Sequence, residues 1–246
     1  MTFTAACSAP AEKPVPSLDA NIVTIVGAIH GQHRRSEAYS LAVLRAAIIK
    51  FDPDIVMVEL PPERFTKASA NYTKFGEVRE SRADDFPELI DVVFPLRQKL
   101  GFEMIPVAAW TQKIADDRRM ALRQLQNDPE RIKDWSAYQA AIITYNKAVS
   151  GRSDNPSFIH SRSYDGAVKA RQEVYEKLFG DDLGPGGWQN INAAHYQKVA
   201  AALDDLKGQQ KRILVLYGAW HKYWFLEQLE TRSDIQLIDA ADLFAD

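Results

Sequence analysis

Short runs of apolar, β-branched residues alternate with helical periodicity in the first part of the chain. Residues 22–26 form such a run, closed by Gly27, which predicts a strand buried on both faces. Residues 36–50 have apolar positions at helical spacing, and residues 55–58 form a second apolar run, which ends before two consecutive prolines. The order strand, helix, strand predicts that the two strands pair in parallel through a right-handed crossover.

The rest of the chain contains three further predicted strands, at residues 102–107, 213–217 and 235–238. Between the first two of these, only helical periodicity is evident. The predicted helices there are residues 115–125, 135–149, 164–178 and 191–206. We therefore predict an α/β fold with one domain over residues 21–246, built on a mainly parallel β-sheet flanked by helices, with a large helical insertion at about residues 110–208.

The composition is that of an ordinary globular protein and excludes several classes of function. With 30 Lys and Arg against 33 Asp and Glu, the net charge is −3, and the chain lacks the basic excess that binds nucleic-acid backbones. No apolar run approaches the ~20 residues that span a bilayer, so we expect no integral membrane segment. Because Cys7 is the only cysteine, a metal site within the chain must use nitrogen and oxygen ligands.

Residues 1–20 are rich in Pro and Ala and predict a disordered tail. The segment Thr4-Ala5-Ala6-Cys7 also resembles the cleavage box of a bacterial lipoprotein whose apolar leader is missing, which would make the tail a tether. As written, the sequence predicts a cytoplasmic protein. If the start codon lies upstream, we expect a periplasmic or membrane-anchored lipoprotein.

A short motif occurs after two of the predicted strands: Gly27-Ala28-Ile29-His30 and Gly218-Ala219-Trp220-His221. Glycine lets the chain turn sharply at the carboxyl end of a strand, where open α/β sheets bind their ligands. Each histidine is therefore predicted to lie just above the edge of the sheet. The alternative is that both histidines are capping or core residues.

Glu59 directly follows the second predicted strand and so occupies the place in the sheet that the two histidines occupy. The ends of three strands would then carry an imidazole, a carboxylate and a second imidazole. His30, Glu59 and His221 could hold a divalent ion such as Mn, Co or Zn, or act without metal as base, orienting group and electrostatic stabiliser. The spacing does not choose between these, and Glu59 could instead form an ion pair with Arg64.

These residues resemble a known family. The pattern Gly27-x-x-His30, Glu59-Leu60-x-x-x-Arg64 and Gly218-x-x-His221 is similar to that of the TraB/TIKI superfamily, to which erythromycin esterase and the haem-binding ChaN lipoproteins are related. The resemblance covers roughly residues 21–66 and 211–243. It implies that His30, Glu59, Arg64 and His221 line one cleft, and it maps Arg162 and Tyr164 to a further arginine-bearing helix start.

The resemblance implies a hydrolase of peptidase or esterase type, acting on a small molecule or a peptide. In the metal version, His30, Glu59 and His221 hold the ion, and Arg64 or Arg162 stabilises the oxyanion. In the metal-free version, His30 or His221 is the base and Glu59 fixes its tautomer. The alternative is a ChaN-like protein that binds haem or another planar ligand. The sequence leaves open whether the chain forms a homodimer.

The other histidines and Trp220 have weaker signals. His33 could be a fourth ligand or a proton shuttle, although we favour a surface position. We predict that His195 lies on a helix surface, and that His160 reaches the cleft only if its loop folds over the sheet edge. Trp220, between the glycine and the histidine of the second motif, could wall a pocket for a ring-shaped ligand.

Overall fold

The computed structural model describes residues 14–79 and 85–245, and the lipoprotein-like segment around Cys7 lies outside these ranges. Five strands form one sheet in the order β3-β2-β4-β1-β5, and every pair of neighbours is parallel. The predicted α/β class is confirmed. The strands are β1 (Asn21–Ala28), β2 (Ile55–Val58), β3 (Glu103–Pro106), β4 (Arg212–Gly218) and β5 (Ile235–Leu237).

The predicted direct pairing of the first two strands is wrong, because β4 lies between them. In β4, Ile213 pairs with Val23 of β1 and with Ile55 of β2. A strand–helix–strand pattern sets the parallel direction but leaves room for a later strand to insert. The apolar β4 takes that place because its core positions are buried on both faces of the sheet.

Helices cover both faces of the sheet. The first two helices are α1 (Leu41–Phe51) and α2 (Pro62–Phe75), and a π-helical turn (Glu88–Val93) leads into α3 (Phe94–Leu100). Between β3 and β4, the four predicted helical segments correspond to α4 (Gln112–Asn127), α5 (Ile132–Val149), α7 (Arg162–Leu183) and α8 (Trp188–Asp205), and the short α6 (Pro156–Ile159) precedes α7. The helix α9 (Lys222–Leu229) follows β4.

Alternation along the strands separates two apolar cores. Val26 of β1 and Leu44 of α1 belong to one core, whereas Ile25 of β1 packs with Val199 of α8 and Phe225 of α9 in the other. The three central strands β1, β2 and β4 are therefore covered on both sides, as in doubly wound α/β proteins, and their ends remain open to a ligand.

Helix α2 is absent from the sequence prediction. Pro61 is its N-cap and Pro62 its first residue, a position that suits proline because the first helical N–H needs no partner. The two prolines that end the strand thus also begin a helix, which carries Arg64 in its first turn. Within residues 14–79 and 85–245, none of the helices combines the length and apolar character needed to cross a membrane.

Candidate active site

The predicted residues follow three adjacent strands in the middle of the sheet. Ala28 of β1 is in register with Gly218 of β4, so the segments after β1 and β4 leave the sheet side by side, and Glu59 follows β2 on the other side of β4. The Oε2 atom of Glu59 accepts a hydrogen bond from the Gly218 N–H at 2.7 Å and lies 3.8 Å from Nε2 of His30. Glu59 and His30 therefore meet over the end of β4.

His30 is held in a strained conformation by a carboxylate that the sequence did not indicate. Its φ of 50° lies in the left-handed region, which side chains other than glycine rarely adopt. Its Nδ1–H donates to Oε1 of Glu88 at 2.7 Å, and its ring meets the edge of Phe86 with centroids 4.9 Å apart. Glu88 is buried and begins the π-helical turn, an element that often occurs at functional sites.

The carboxylates around His30 favour its protonated form. Burial alone would lower the pKa of His30, but the hydrogen bond to Glu88 and the charges of Glu59 and Glu88 outweigh it and raise that pKa to about 9. Burial also raises the pKa of Glu59 to about 7, although His30 and the Gly218 N–H oppose the change. At neutral pH, His30 is thus a cation beside a partly ionised Glu59.

The tautomer of His221 follows from a chain of hydrogen bonds. The Asn192 side-chain N–H donates to the Trp188 carbonyl at 2.7 Å, which places Oδ1 of Asn192 2.7 Å from Nδ1 of His221. Because Oδ1 can only accept, Nδ1 of His221 must carry the proton. In the neutral ring, the lone pair is therefore on Nε2.

The surroundings of His221 keep the ring neutral. It stacks on Trp188 with centroids 4.7 Å apart and lies 5.3 Å from the ring of Tyr217. Burial, reinforced by the nearby His195 and His30, holds the pKa of His221 well below its usual value. The two motif histidines thus have pKa values shifted in opposite directions.

Both histidines line one cavity of about 730 Å³, which we call the histidine cavity. Trp220 and Tyr145 contribute aromatic rings to its wall, and Tyr164 also lines it. Glu59 and Arg64 line a neighbouring cavity of about 300 Å³ together with Trp110. The site thus has an aromatic cavity at the histidines and a second, charged one at Glu59.

Arg162 is not near these groups. Its side chain is 87% exposed, lies 3.5 Å from Glu230, and lines a different cavity together with His160. The helix that begins at Arg162 still contributes to the site, because Tyr164 faces the histidine cavity. Of the predicted oxyanion-stabilising arginines, only Arg64 shares a cavity with a motif residue.

His33 is buried, so the surface position that we favoured is wrong. The Ile29 N–H donates to its Nε2 at 3.0 Å, and its Nδ1–H donates to the Tyr39 carbonyl at 2.8 Å. Both nitrogens therefore serve the turn after β1, and neither is available to a metal or a cofactor. The short 3₁₀-helix His30–Arg34 folds the ring inwards, a local geometry that loop composition does not reveal.

His195 is fully buried, so its predicted position on a helix surface is also wrong. It shares one face of α8 with Ile191 and Val199 at a spacing of four residues, and that face packs on the sheet. His160 does lie over the sheet edge, but both of its nitrogens bond to backbone: Nε2 accepts from the Gly27 N–H and Nδ1–H donates to the Pro156 carbonyl. It stabilises the strand end and leaves no nitrogen for chemistry.

The predicted metal ligands only partly fit an ion. A carboxylate on Nδ1 of His30 and an amide on Nδ1 of His221 are partners that histidine ligands often have. Among the described residues, however, no group of three or more His, Cys, Asp or Glu side chains is arranged to hold a metal ion. The ligand set His30, Glu59 and His221 therefore stays a prediction.

Glu88 and Asn192 are the site residues that sequence reasoning missed. Neither follows a strand: Glu88 begins the π-helical turn and Asn192 lies within α8, four residues after Trp188. A buried asparagine on an otherwise apolar helix face was the one available signal, since buried polar side chains require partners.

The two motif glycines predict different mutant phenotypes. A Cβ at Gly218 would lie 2.7 Å from Nε2 of His30, so Gly218→Ala should displace that ring and lower any His30-dependent activity about a hundredfold while the melting temperature changes little. A Cβ at Gly27 would lie 3.1 Å from the Ala219 Cα, which cannot move freely. Gly27→Ala should therefore destabilise the fold by about 1–3 kcal/mol. Thermal unfolding and activity of both variants test this, and equal melting temperatures would contradict it.

Comparison of this chain with models of protein families, with curated proteins and with solved structures found no match. The similarity to the TraB/TIKI superfamily therefore rests on the motif residues alone and remains a prediction.

Proposed function

We propose that the protein is a hydrolase that cleaves an ester or amide bond in the histidine cavity. The observation that carries the proposal is the pair of strand-end histidines in one cavity, one with Nδ1 on a carboxylate and the other with Nδ1 on an amide oxygen. Asn192 fixes a neutral His221 with its lone pair on Nε2, whereas Glu88 fixes a protonated His30. Two titratable groups in one cavity, with pKa values driven apart, are the usual basis of paired base and acid catalysis.

The roles follow from the protonation states. Nε2 of His221 takes a proton from water while the water oxygen bonds to the carbonyl carbon and the carbonyl π electrons move to its oxygen. The imidazolium of His30 stabilises this oxyanion. When the tetrahedral intermediate collapses, the bond to the leaving alcohol or amine breaks, and the leaving group takes the proton held by His221. Both histidines then return to their starting states.

Glu59 and Glu88 act through His30. The Glu88 carboxylate fixes the ring through Nδ1, and the Glu59 charge favours the imidazolium from the Nε2 side. The tautomer-fixing role predicted for Glu59 thus passes to Glu88 in this proposal. Arg64, which shares a cavity with Glu59, is placed to contact a part of the substrate beyond the reacting bond.

The test is hydrolysis of 4-nitrophenyl acetate and of a set of short peptides by protein purified without chelator. We expect turnover of at least one class, abolished in His221→Gln. Elemental analysis and chelator treatment follow: activity that survives chelation supports the metal-free mechanism, and stoichiometric Mn, Co or Zn with chelator-sensitive activity contradicts it. Added haemin that produces a Soret band in a protein without turnover would favour the planar-ligand alternative.

The pH dependence should show the protonation of His30. Because the imidazolium is required and its pKa is about 9, activity should fall as pH rises through about 9. In Glu88→Gln the hydrogen-bonded charge is lost, so the fall should occur at least about one pH unit lower. Asp91→Asn removes an exposed charge on the same turn, where Asp91 pairs with Arg34, and should leave the profile unchanged. A fall that stays near pH 9 in Glu88→Gln would contradict the role of His30.

A further inference from the structure

The ring of Trp220 forms a rigid platform in the histidine cavity. It is 39% exposed, yet its Nε1–H donates to the Tyr145 hydroxyl at 3.0 Å, and the Tyr145 ring meets it edge-on with centroids 5.8 Å apart. The guanidinium of Arg171 lies 4.2 Å from its ring centroid. An exposed indole fixed by three contacts is preorganised to receive a ligand, because little side-chain entropy remains to be lost on binding.

Apart from the two histidines and the aromatic rings, the cavity wall combines apolar residues with polar, uncharged side chains. The described residues that line it include no Asp, Glu, Lys or Arg, and apart from the two histidines and the aromatic rings the polar side chains are amides and hydroxyls. These are Gln32, Asn146, Ser150 and Ser153. All four are exposed, so they can bind hydroxyl groups without first losing a protein partner in the core.

These features select among the ligand groups that stack on an indole. A cationic group is disfavoured because the Arg171 guanidinium already places a positive charge against the Trp220 ring. An anionic group finds no Lys or Arg among the described residues of the wall, because Arg171 does not line the cavity and donates to the Tyr138 hydroxyl. The carboxylates of Glu88 and Glu59 also lie 2.7 and 3.8 Å from the His30 ring nitrogens, which disfavours a further negative charge there. A purely apolar ring would gain nothing from the amides and hydroxyls that line the cavity.

Resting on the proposed hydrolase, we propose that the histidine cavity receives an uncharged sugar ring and that the substrate is an acylated carbohydrate. The apolar C–H face of a pyranose stacks on Trp220, and its hydroxyls bond to the amide and hydroxyl side chains that line the same cavity. An ester on that sugar then lies next to His221, the neighbour of Trp220 in sequence and in the cavity.

Isothermal titration calorimetry with methyl glycosides of neutral hexoses tests the binding step directly. We expect binding by the neutral glycosides, and binding at least tenfold weaker by the matching glucuronide, by glucosamine and by cyclohexanol. Trp220→Leu should weaken glycoside binding about tenfold, the loss of a stacking contact. The control is Trp224→Leu, because Trp224 donates to Gln189 outside this cavity. Melting temperatures establish that both variants fold.

Hydrolysis separates this inference from the proposed function. If methyl hexosides bind in a Trp220-dependent way but neither their acetates nor 4-nitrophenyl acetate are cleaved, the sugar site stands and the hydrolase fails. If 4-nitrophenyl acetate is cleaved through His221 while acetylated glycosides are not preferred and Trp220→Leu has no effect, the hydrolase stands and the sugar site fails. Equal binding of cyclohexanol, or tighter binding of the charged sugars, would also overturn the inference.

Discussion

Replacing His221 with glutamine should reduce hydrolysis about a hundredfold to ten-thousandfold, the usual contribution of a general base. Glutamine can still offer an N–H to Asn192 but has no lone pair of comparable basicity at the position of Nε2. Because the side chain is only half-buried at the cavity wall, the melting temperature should fall by no more than a few degrees. Steady-state kinetics should place the loss in kcat and leave KM nearly unchanged.

His160→Gln is the matched control, since His160 also lies at a strand end but bonds only to backbone. Glutamine replaces the rigid ring, which bonds to both the Gly27 N–H and the Pro156 carbonyl, with a flexible amide, and the loss of one of these bonds costs about 1–3 kcal/mol of folding free energy. We expect this variant to melt earlier and to keep its activity per folded molecule. The reverse outcome, an unstable His221 variant with full activity, would show that the second motif histidine is structural.

Replacing Glu59 with glutamine should lower activity about a hundredfold and leave the fold as stable or more stable. The amide oxygen can still accept from the Gly218 N–H, but the negative charge that favours the His30 imidazolium is gone. Because burial raises the pKa of Glu59 from 4.5 to about 7, ionising this carboxyl opposes folding. The variant should therefore gain stability relative to the native protein as pH rises from about 4.5 to 7.

Thermal unfolding at pH 5 and pH 8, together with kinetics, measures both effects. Glu63→Gln is the charge-matched control, because Glu63 lines the same cavity as Glu59 but is exposed on α2. It should change neither quantity by much. If Glu59→Gln retains full activity and melts several degrees lower at both pH values, Glu59 is a clamp on the end of β4 and its assigned effect on His30 is wrong.

The motif residues were predictable because they follow buried strands, whose apolar runs are the clearest signal in the chain. Residues that follow parallel strands meet at the same edge of the sheet, and His30 and Glu59, about thirty residues apart in the sequence, do so with Nε2 and Oε2 3.8 Å apart. The rule fails for their partners. Glu88 depends on a π-helical turn, and Asn192 on which face of α8 packs against the sheet, and neither is local information.

The predicted pairing of the first two strands is wrong for a related reason. Hydrophobic periodicity predicts β4 but does not indicate which strands lie on either side of it. All interior strands of a parallel sheet have the same kind of apolar run. The predicted surface position of His195 is wrong for a similar reason. A histidine suggests an exposed position, but its helical spacing from Ile191 and Val199 places it on the apolar face of α8.

The central position of β4 also governs how the molecule can be made. While the chain is being synthesised, β1, β2 and β3 emerge long before residues 212–218, so the position of β4 between β1 and β2 stays empty until then. Until then, the edges of β1 and β2 that face β4 have no partner strand and can pair with other chains. The sheet is completed only through contacts between residues that are far apart in the sequence. Folding should therefore be slow and aggregation-prone until β4 inserts between β1 and β2 and its Gly218 N–H bonds to Glu59.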